Sequence, residues 1–288
     1  MTRVTRRWRV RRLGADGSVR ERADVLAGEE PLEVRLGGRS FTVTMRTPGH
    51  DFDLVVGFLV GEGVVRGPDD VVQLDYRASV APTGERDYNV VDVHLAPGVP
   101  LPDTSMERHV YTSSSCGVCG TASIEAVRKT SSFPVDDDRT TLRLDHLLAL
   151  PDRLREQQEV FGRTGGVHAA ALFVADPGGA APELLCVRED VGRHNAVDKV
   201  VGWALREGRL PVRGGVLQVS GRASFELVQK AAMAGIPVLS AVSAPSGLAC
   251  ELGAELGLTV IGFNRGDQLN VYTRADRVVG LPAPVGRE

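Results

Sequence analysis

Along residues 32–45 apolar and polar side chains alternate. Leu32, Val34 and Leu36 are separated by Glu33 and Arg35, Gly37-Gly38 interrupts, and Phe41, Val43 and Met45 resume with threonines between them. A period of two on both sides of a glycine pair predicts a β-hairpin. Thr47-Pro48-Gly49 breaks it. Asp51 or Asp53 then stands as a helix cap, with Leu54, Val55, Phe58 and Leu59 as the buried stripe and Gly61 and Gly63 as the stop. Strand-like runs follow at 71–76 and 88–95, separated by Pro82 and Gly84. Ahead of all this, residues 1–28 are arginine-rich and broken by Gly14 and Gly17, which predicts a loose arm or an edge strand. The stretch 96–103, with three prolines and a glycine, reads as a linker.

The second half has a different rhythm. Runs at 167–175 and 184–187 read as buried strands. A helix from about His194 places Ala196, Val200 and Ala204 beside Val197, Val201 and Leu205. Strands at 216–219, 237–239 and 258–263 then alternate with helices at 225–234 and 245–256, the pattern of a parallel sheet with helical crossovers. The expected architecture is α/β, with a small α+β unit over residues 1–105 and an α/β unit over 106–288.

Composition changes this picture little. The chain has 288 residues, 34 basic and 37 acidic, with a formal charge of −3. A balance so near neutral excludes a protein that binds polyanions over its whole surface, so no nucleic-acid partner is expected. Lys129, Lys199 and Lys230 are the only lysines, so the basic charge is almost all arginine. No apolar run reaches the roughly 20 residues that span a bilayer, so no membrane association is expected. Arg6-Arg7 is not followed by an apolar stretch, and no export signal is read there. Four scattered cysteines do not make a disulfide scaffold, which points to the reducing cytoplasm.

Two of them stand apart. Ser115-Cys116-Gly117-Val118-Cys119-Gly120 sets two thiols three positions apart, ahead of a helix-compatible run. A helix start favours the thiolate, and the glycines let a partner approach the sulfurs. Dithiol redox chemistry, zinc binding and carriage of sulfur as a persulfide all use such a pair. The bland alternative is two unreactive thiols in a turn. Zinc lacks a second half-site, because Cys186 and Cys250 lie in apolar runs, and no metal is expected. A second candidate site lies where the alternating strands end. Ser220, Gly221 and Arg222, then 240–247, then Asn264, Arg265, Gly266 and Asp267 would meet at the carboxyl edge of the sheet. Helix starts there, with Arg222 and Arg265, suit phosphate oxygens, although tight connections also favour small residues. A third polar cluster, Arg188 to Asn195, leads into a helix. His194, Asp198 and His168 are acid–base candidates within or near it, outside any hydrolytic metal arrangement.

These motifs, in this order, resemble the FdhD/NarQ family, the sulfur carriers required for formate dehydrogenase activity. The likeness rests on Thr47-Pro48-Gly49-His50-Asp51, Val56-Gly57-Phe58-Leu59 with Glu62-Gly63, the CxxC loop, Gly166-Val167-His168-Ala169-Ala170, residues 189–199, Ser220-Gly221-Arg222 and Gly262-Phe263-Asn264-Arg265-Gly266. The resemblance implies a C-terminal domain with a cytidine-deaminase-like α/β/α fold that lacks the zinc site, and a homodimer. It implies an accessory protein of sulfurtransferase type, served by a cysteine desulfurase and serving formate dehydrogenase. Sulfur would travel through Cys116 as the persulfide bearer, with Cys119 as its partner, to a molybdenum (or tungsten) bis-guanine-dinucleotide cofactor. Phe263, Asn264, Arg265, Gly266, Asp267 and Gln268 would match the family's cofactor-contacting segment. A redox-sensing dithiol module without a cofactor is the alternative.

Overall fold

Gly37 and Gly38 both take positive φ, 56° and 82°, the requirement of the two-residue turns that suit a twisted hairpin. They join β3 (Glu30–Leu36) to β4 (Arg39–Arg46), with Leu36 paired to Arg39. The structure, a computed structural model, describes residues 4–77, 79–80, 86–100 and 131–280. The arginine-rich start is more regular than a loose arm. There β1 (Thr5–Leu13) and β2 (Val19–Ala27) pair along their whole length as a two-stranded antiparallel ribbon. After β4 comes helix α1 (Asp51–Gly61), then β5 (Val71–Tyr76), the short pair β6 (Ser79–Val80) and β7 (Arg86–Asp87), and β8 (Val90–Leu95). Strands β4, β3, β8 and β5 form one sheet in that order.

The remaining elements are β9 (Leu142–Arg143), α2 (Leu144–Glu156), α3 (Glu159–Thr164), β10 (His168–Val174), β11 (Glu183–Asp190), α4 (Arg193–Arg206), β12 (Gly215–Val219), α5 (Phe225–Met233), β13 (Val238–Ala241), α6 (Gly247–Glu255), β14 (Thr259–Arg265), β15 (Gln268–Val271) and β16 (Val278–Val279). The six-stranded sheet runs β11-β10-β12-β13-β14-β15. Its centre, β12-β13-β14, is parallel as the alternation predicts. Its margins are antiparallel, which the sequence reading did not anticipate. Helices α2 and α3 and strand β15 were also unanticipated.

The sheet is covered on both faces. Ala169, Ala171, Phe173, Val216 and Ile261 pack with Leu147, Leu150 and Leu154 of α2. Ala170, Leu172, Leu217 and Val260 face the other way, among residues of α4, α5 and α6. That second layer also takes in Leu32, Val34, Val55, Leu59 and Val91 from the first hundred residues. The expected division at 105/106 lies outside the described residues, and the parts on either side of it share a core.

Helix α1 crosses α4 at two facing glycines. A Cβ on Gly57 would overlap the carbonyl oxygen of Asp198, and one on Gly202 would overlap that of Asp53. Neither helix tolerates a larger residue there. The cap of α1 differs from expectation, because His50 holds the N-cap position in the left-handed region at φ 55° without a side-chain cap. Asp51 and Asp53 instead lie buried in the first turn, where Arg46 binds Asp51 at 3.0 Å and Arg188 and Arg206 bind Asp53 at 2.9 and 2.6 Å. Among the described residues no helix is long and apolar enough to cross a membrane.

Candidate functional site

Strands β12, β13 and β14 all end at one edge of the large sheet. Antiparallel β10 begins there, and the chain leaves β11 there. Ser220 is fixed across this edge, since its backbone N–H donates to the Ala169 carbonyl at 3.0 Å and its Oγ accepts from the Ala169 N–H at 2.9 Å. A cavity of about 610 Å³ opens at the same place. Ser220, Val242, Arg265, Gly266 and His168 form its sheet side, and residues of α2 and α3 form the opposite wall. That volume lies within the range of small-molecule and cofactor sites.

The predicted carboxyl-edge residues do not all reach this cavity. Ser220, Arg265 and Gly266 line it. Gly221 lies behind, where a Cβ would stand at ordinary contact distance, 3.6 Å from His168 Nδ1 and 3.9 Å from Arg193 Cδ. Arg222 is exposed and is not part of the lining. The segment expected to be a loop from Asn264 is instead the end of β14 and a hairpin turn into β15. Phe263 bulges with φ 51°, and the Arg265 guanidinium lies 5.6 Å from its ring centre. Asp267 and Gln268 are exposed on that hairpin. Asn264 points into the protein. Its amide nitrogen donates to the Leu147 carbonyl at 2.8 Å and to Ser240 Oγ at 3.0 Å, tying β14 to α2 and β13. Among the described residues its carbonyl oxygen is buried without a hydrogen-bond partner.

Cys116 and Cys119 lie outside the described residues. Cys186 is buried in β11, where burial pushes its thiol up to about 12. The Cys250 thiol is also pushed up by burial. Among the described residues no cluster of histidine, cysteine and carboxylate side chains is arranged to hold a metal ion.

His168 is half-buried, and its pKa lies below the ordinary histidine value. Burial is the main cause, reinforced by the Arg193 and His194 charges. His194 is engaged elsewhere, with its Nε2 2.7 Å from a Glu226 carboxylate oxygen and 3.5 Å from Ser224 Oγ. Both partners meet the same ring nitrogen, so the three do not form a nucleophile–base–acid relay. Asp198 pairs with Lys230 at 2.6 Å beside α1. Most of the 189–199 cluster is interior scaffolding. Lys199 Nζ lies 2.7 Å from the Asp190 carboxylate and donates to the Thr47 carbonyl at 2.8 Å. Asn195 donates to Asp190 and to the Met45 carbonyl. These bonds carry the 47–51 segment on the same frame as the cavity edge.

The far wall of the cavity, with Asp152, Arg155, Gln158 and Phe161, was not found from sequence. Its signal was present, since Leu147, Leu150 and Leu154 recur at helical spacing and are all buried. Pro151 inside the helix interrupts that pattern.

Residues 27–279 match the model of the FdhD/NarQ family. A Streptomyces coelicolor protein named sulfur carrier protein FdhD is 58% identical over 288 residues, covering 100% of both chains. A Mycobacterium tuberculosis protein of the same name is 58% identical over 273 residues, covering 94% of this chain and 97% of its own. A solved structure from Desulfotalea psychrophila, described as a candidate formate dehydrogenase accessory protein, superposes with a TM-score of 0.70 at 22% identity. It covers 96% of this chain and 100% of that one, which establishes the shared fold.

Proposed function

Because the chain belongs to the FdhD/NarQ family, we propose that it is a sulfur carrier for formate dehydrogenase maturation. It takes persulfide sulfur from a cysteine desulfurase on Cys116 and passes it, with Cys119, to a molybdenum bis-guanine-dinucleotide cofactor as substrate. The observation that carries the assignment to this pair is the state of the other two thiols. Accepting sulfur requires a thiolate, and burial raises the pKa of both Cys186 and Cys250, which disfavours their thiolates. That leaves the glycine-flanked pair.

The chemistry balances without an external oxidant. The Cys116 thiolate attacks the outer sulfur of the desulfurase persulfide and displaces the desulfurase thiolate. The Cys119 thiolate then attacks the inner sulfur of the Cys116 persulfide, so a disulfide forms as the outer sulfur leaves as hydrosulfide. The sulfane sulfur gains the two electrons that the thiols lose, and a thiol reductant resets the pair. The cofactor rests with a nucleotide portion in the sheet-edge cavity, where Ser220, Gly266 and Arg265 offer donors and positive charge to phosphate. A homodimer is part of the same reading.

The test is intact mass after incubation with a desulfurase and cysteine. The expected result is a gain of at least one sulfur atom, removed by reductant, abolished in Cys116→Ala and retained in Cys186→Ala. A gain that survives Cys116→Ala would move the persulfide elsewhere. No gain would favour a redox-sensing dithiol module.

A further inference from the structure

Half of the large apolar side chains exposed among the described residues, Val4, Trp8, Leu13, Val19 and Leu26, belong to the β1–β2 ribbon and its base. The same segment concentrates basic charge. Residues 1–28 hold eight arginines against three carboxylates, in a chain whose formal charge is −3. The register of the two strands sorts these side chains by face. Arg6 stands opposite Leu26, Trp8 opposite Asp24, Val10 opposite Arg22 and Arg12 opposite Arg20, all on one face. Arg22 pairs with Asp24 at 3.3 Å and Arg6 with Glu30 at 3.5 Å. Arg12 and Arg20 are exposed, and among the described residues no ion pair engages either. Like charges set directly opposite one another destabilise a strand pair. A two-stranded ribbon that buries little apolar surface is also marginal on its own. The exposed Trp8 and the unpaired arginines therefore describe a surface that a partner completes.

Tryptophan and arginine carry most of the binding energy at protein interfaces, where lysine is depleted, and the ribbon has no lysine. Single-stranded nucleic acids are held by aromatic stacking and cationic grooves. Leucine and valine supply neither, and Glu21 and Asp24 repel phosphate. A second ribbon would set arginine against arginine. The partner that fits is a protein face with carboxylates around an apolar pocket. The root of the ribbon indicates which protein. Strand β2 packs against α3, Ala27 lies beside Gly166, and Arg163 donates to Thr5 Oγ1 at 3.5 Å. Phe161 of α3 and Gly165 and Gly166 just after it line the sheet-edge cavity, so the ribbon rises from the rim of that cavity. Resting on the reading of the protein as a sulfur carrier whose cofactor lies there, we infer that the ribbon docks the enzyme that receives the cofactor. Trp8 enters an apolar pocket of that enzyme, and Arg12 and Arg20 meet carboxylates around it.

The experiment measures binding of the full-length protein to purified apo formate dehydrogenase by interferometry. It is run at ionic strengths on either side of about 0.1 M, where the screening length is about 10 Å. Wild type is expected to bind, and to bind more weakly at the higher ionic strength. Trp8→Ala should weaken binding by about tenfold or more at both. The double variant Arg12→Glu, Arg20→Glu should weaken it by a similar factor at the lower ionic strength and by less at the higher. Deleting residues 1–26 should lose binding at least as fully, which keeps the test independent of either substitution. All three proteins should keep the wild-type gain of persulfide sulfur from the desulfurase. Variants that bind like wild type, or a wild type that does not bind, would overturn the docking surface, while the sulfur gain leaves the carrier reading standing. Loss of the sulfur gain in folded variants would assign the ribbon to the desulfurase, and a changed oligomeric state would assign it to a second copy of the chain. A single-stranded RNA oligonucleotide bound more tightly than the apoenzyme would assign it to nucleic acid. Each of these three results would overturn the inference. No sulfur gain by wild type would overturn the carrier reading, and the inference with it.

Discussion

Lys199 is 1% exposed, and Asp190 facing it is fully buried. A charge pair so deep is held by its hydrogen bonds, here to the Thr47 and Glu189 carbonyls and from the Thr47 N–H. Replacing Lys199 by Met leaves the Asp190 carboxylate without its counter-charge. The expected loss is about 3–5 kcal/mol, read as a lower denaturant midpoint. A midpoint within error of wild type would show that the pair contributes nothing. His168 is the second informative residue. Its neutral ring is favoured in the folded state, so the stability it contributes is complete above the ordinary value of 6.5. That stability falls as pH drops from there toward the folded value. NMR titration should place its pKa below 6.5, and a phosphate-bearing ligand in the cavity should raise it, because an adjacent anion favours the imidazolium. A ring whose titration does not respond to GDP would lie outside the ligand's reach.

Among the elements, the ribbon of β1 and β2 stands apart. It lies ahead of the family match except for its last residue, Ala27. Among the described residues its ties to the body include the packing of β2 against α3, Arg163 to Thr5 at 3.5 Å, Arg6 to Glu30 at 3.5 Å, and Ala27 beside Gly166. Trp8 is 62% exposed and Leu13 72% exposed, so the ribbon buries little apolar surface. Deleting residues 1–26 should therefore leave the thermal midpoint nearly unchanged by circular dichroism. A large drop would mean the ribbon braces α3. The ribbon also shows why some elements were legible and others were not. The β3–β4 hairpin was readable because one face is buried, which imposes alternation on Leu32, Val34 and Leu36. With no buried face, the β1 and β2 residues carry no such pattern. Strand β15 was hidden for a similar reason, since its four residues alternate between exposed and half-buried. Helix α4 was found from its apolar stripe, but its polar positions Asn195, Asp198 and Lys199 are buried too. Their partners include Met45, Thr47 and Lys230 from distant segments, so only the fold reveals them. The same holds at the cavity, where Ser220 and Arg265 follow from strand order and the α2–α3 wall does not.

At the scale of the whole molecule, the decisive contact is the crossing of α1 on α4. The first helix belongs to the segment with the four-stranded sheet, the second to the six-stranded one. Their glycines bring the backbones close enough that a methyl group on either would displace the other helix. The apolar residues around the crossing belong to one cluster that includes Val55 and Leu59 as well as Val197 and Val201. Because one cluster takes residues from both parts, the described parts should unfold together. Gly202→Ala tests this, because the added methyl meets the Asp53 carbonyl and the Gly57 N–H, groups that cannot rotate aside. The expected cost is about 3 kcal/mol or more, the upper end for overpacked sites. It should appear as one lowered midpoint, identical by tryptophan fluorescence and by circular dichroism. Trp203, next to the crossing, makes fluorescence a local probe once the exposed Trp8 is replaced by Phe, and circular dichroism a global one. Two separate transitions in wild type or in Gly202→Ala would show that the two sheets are stable independently, with the glycine crossing a contact between domains.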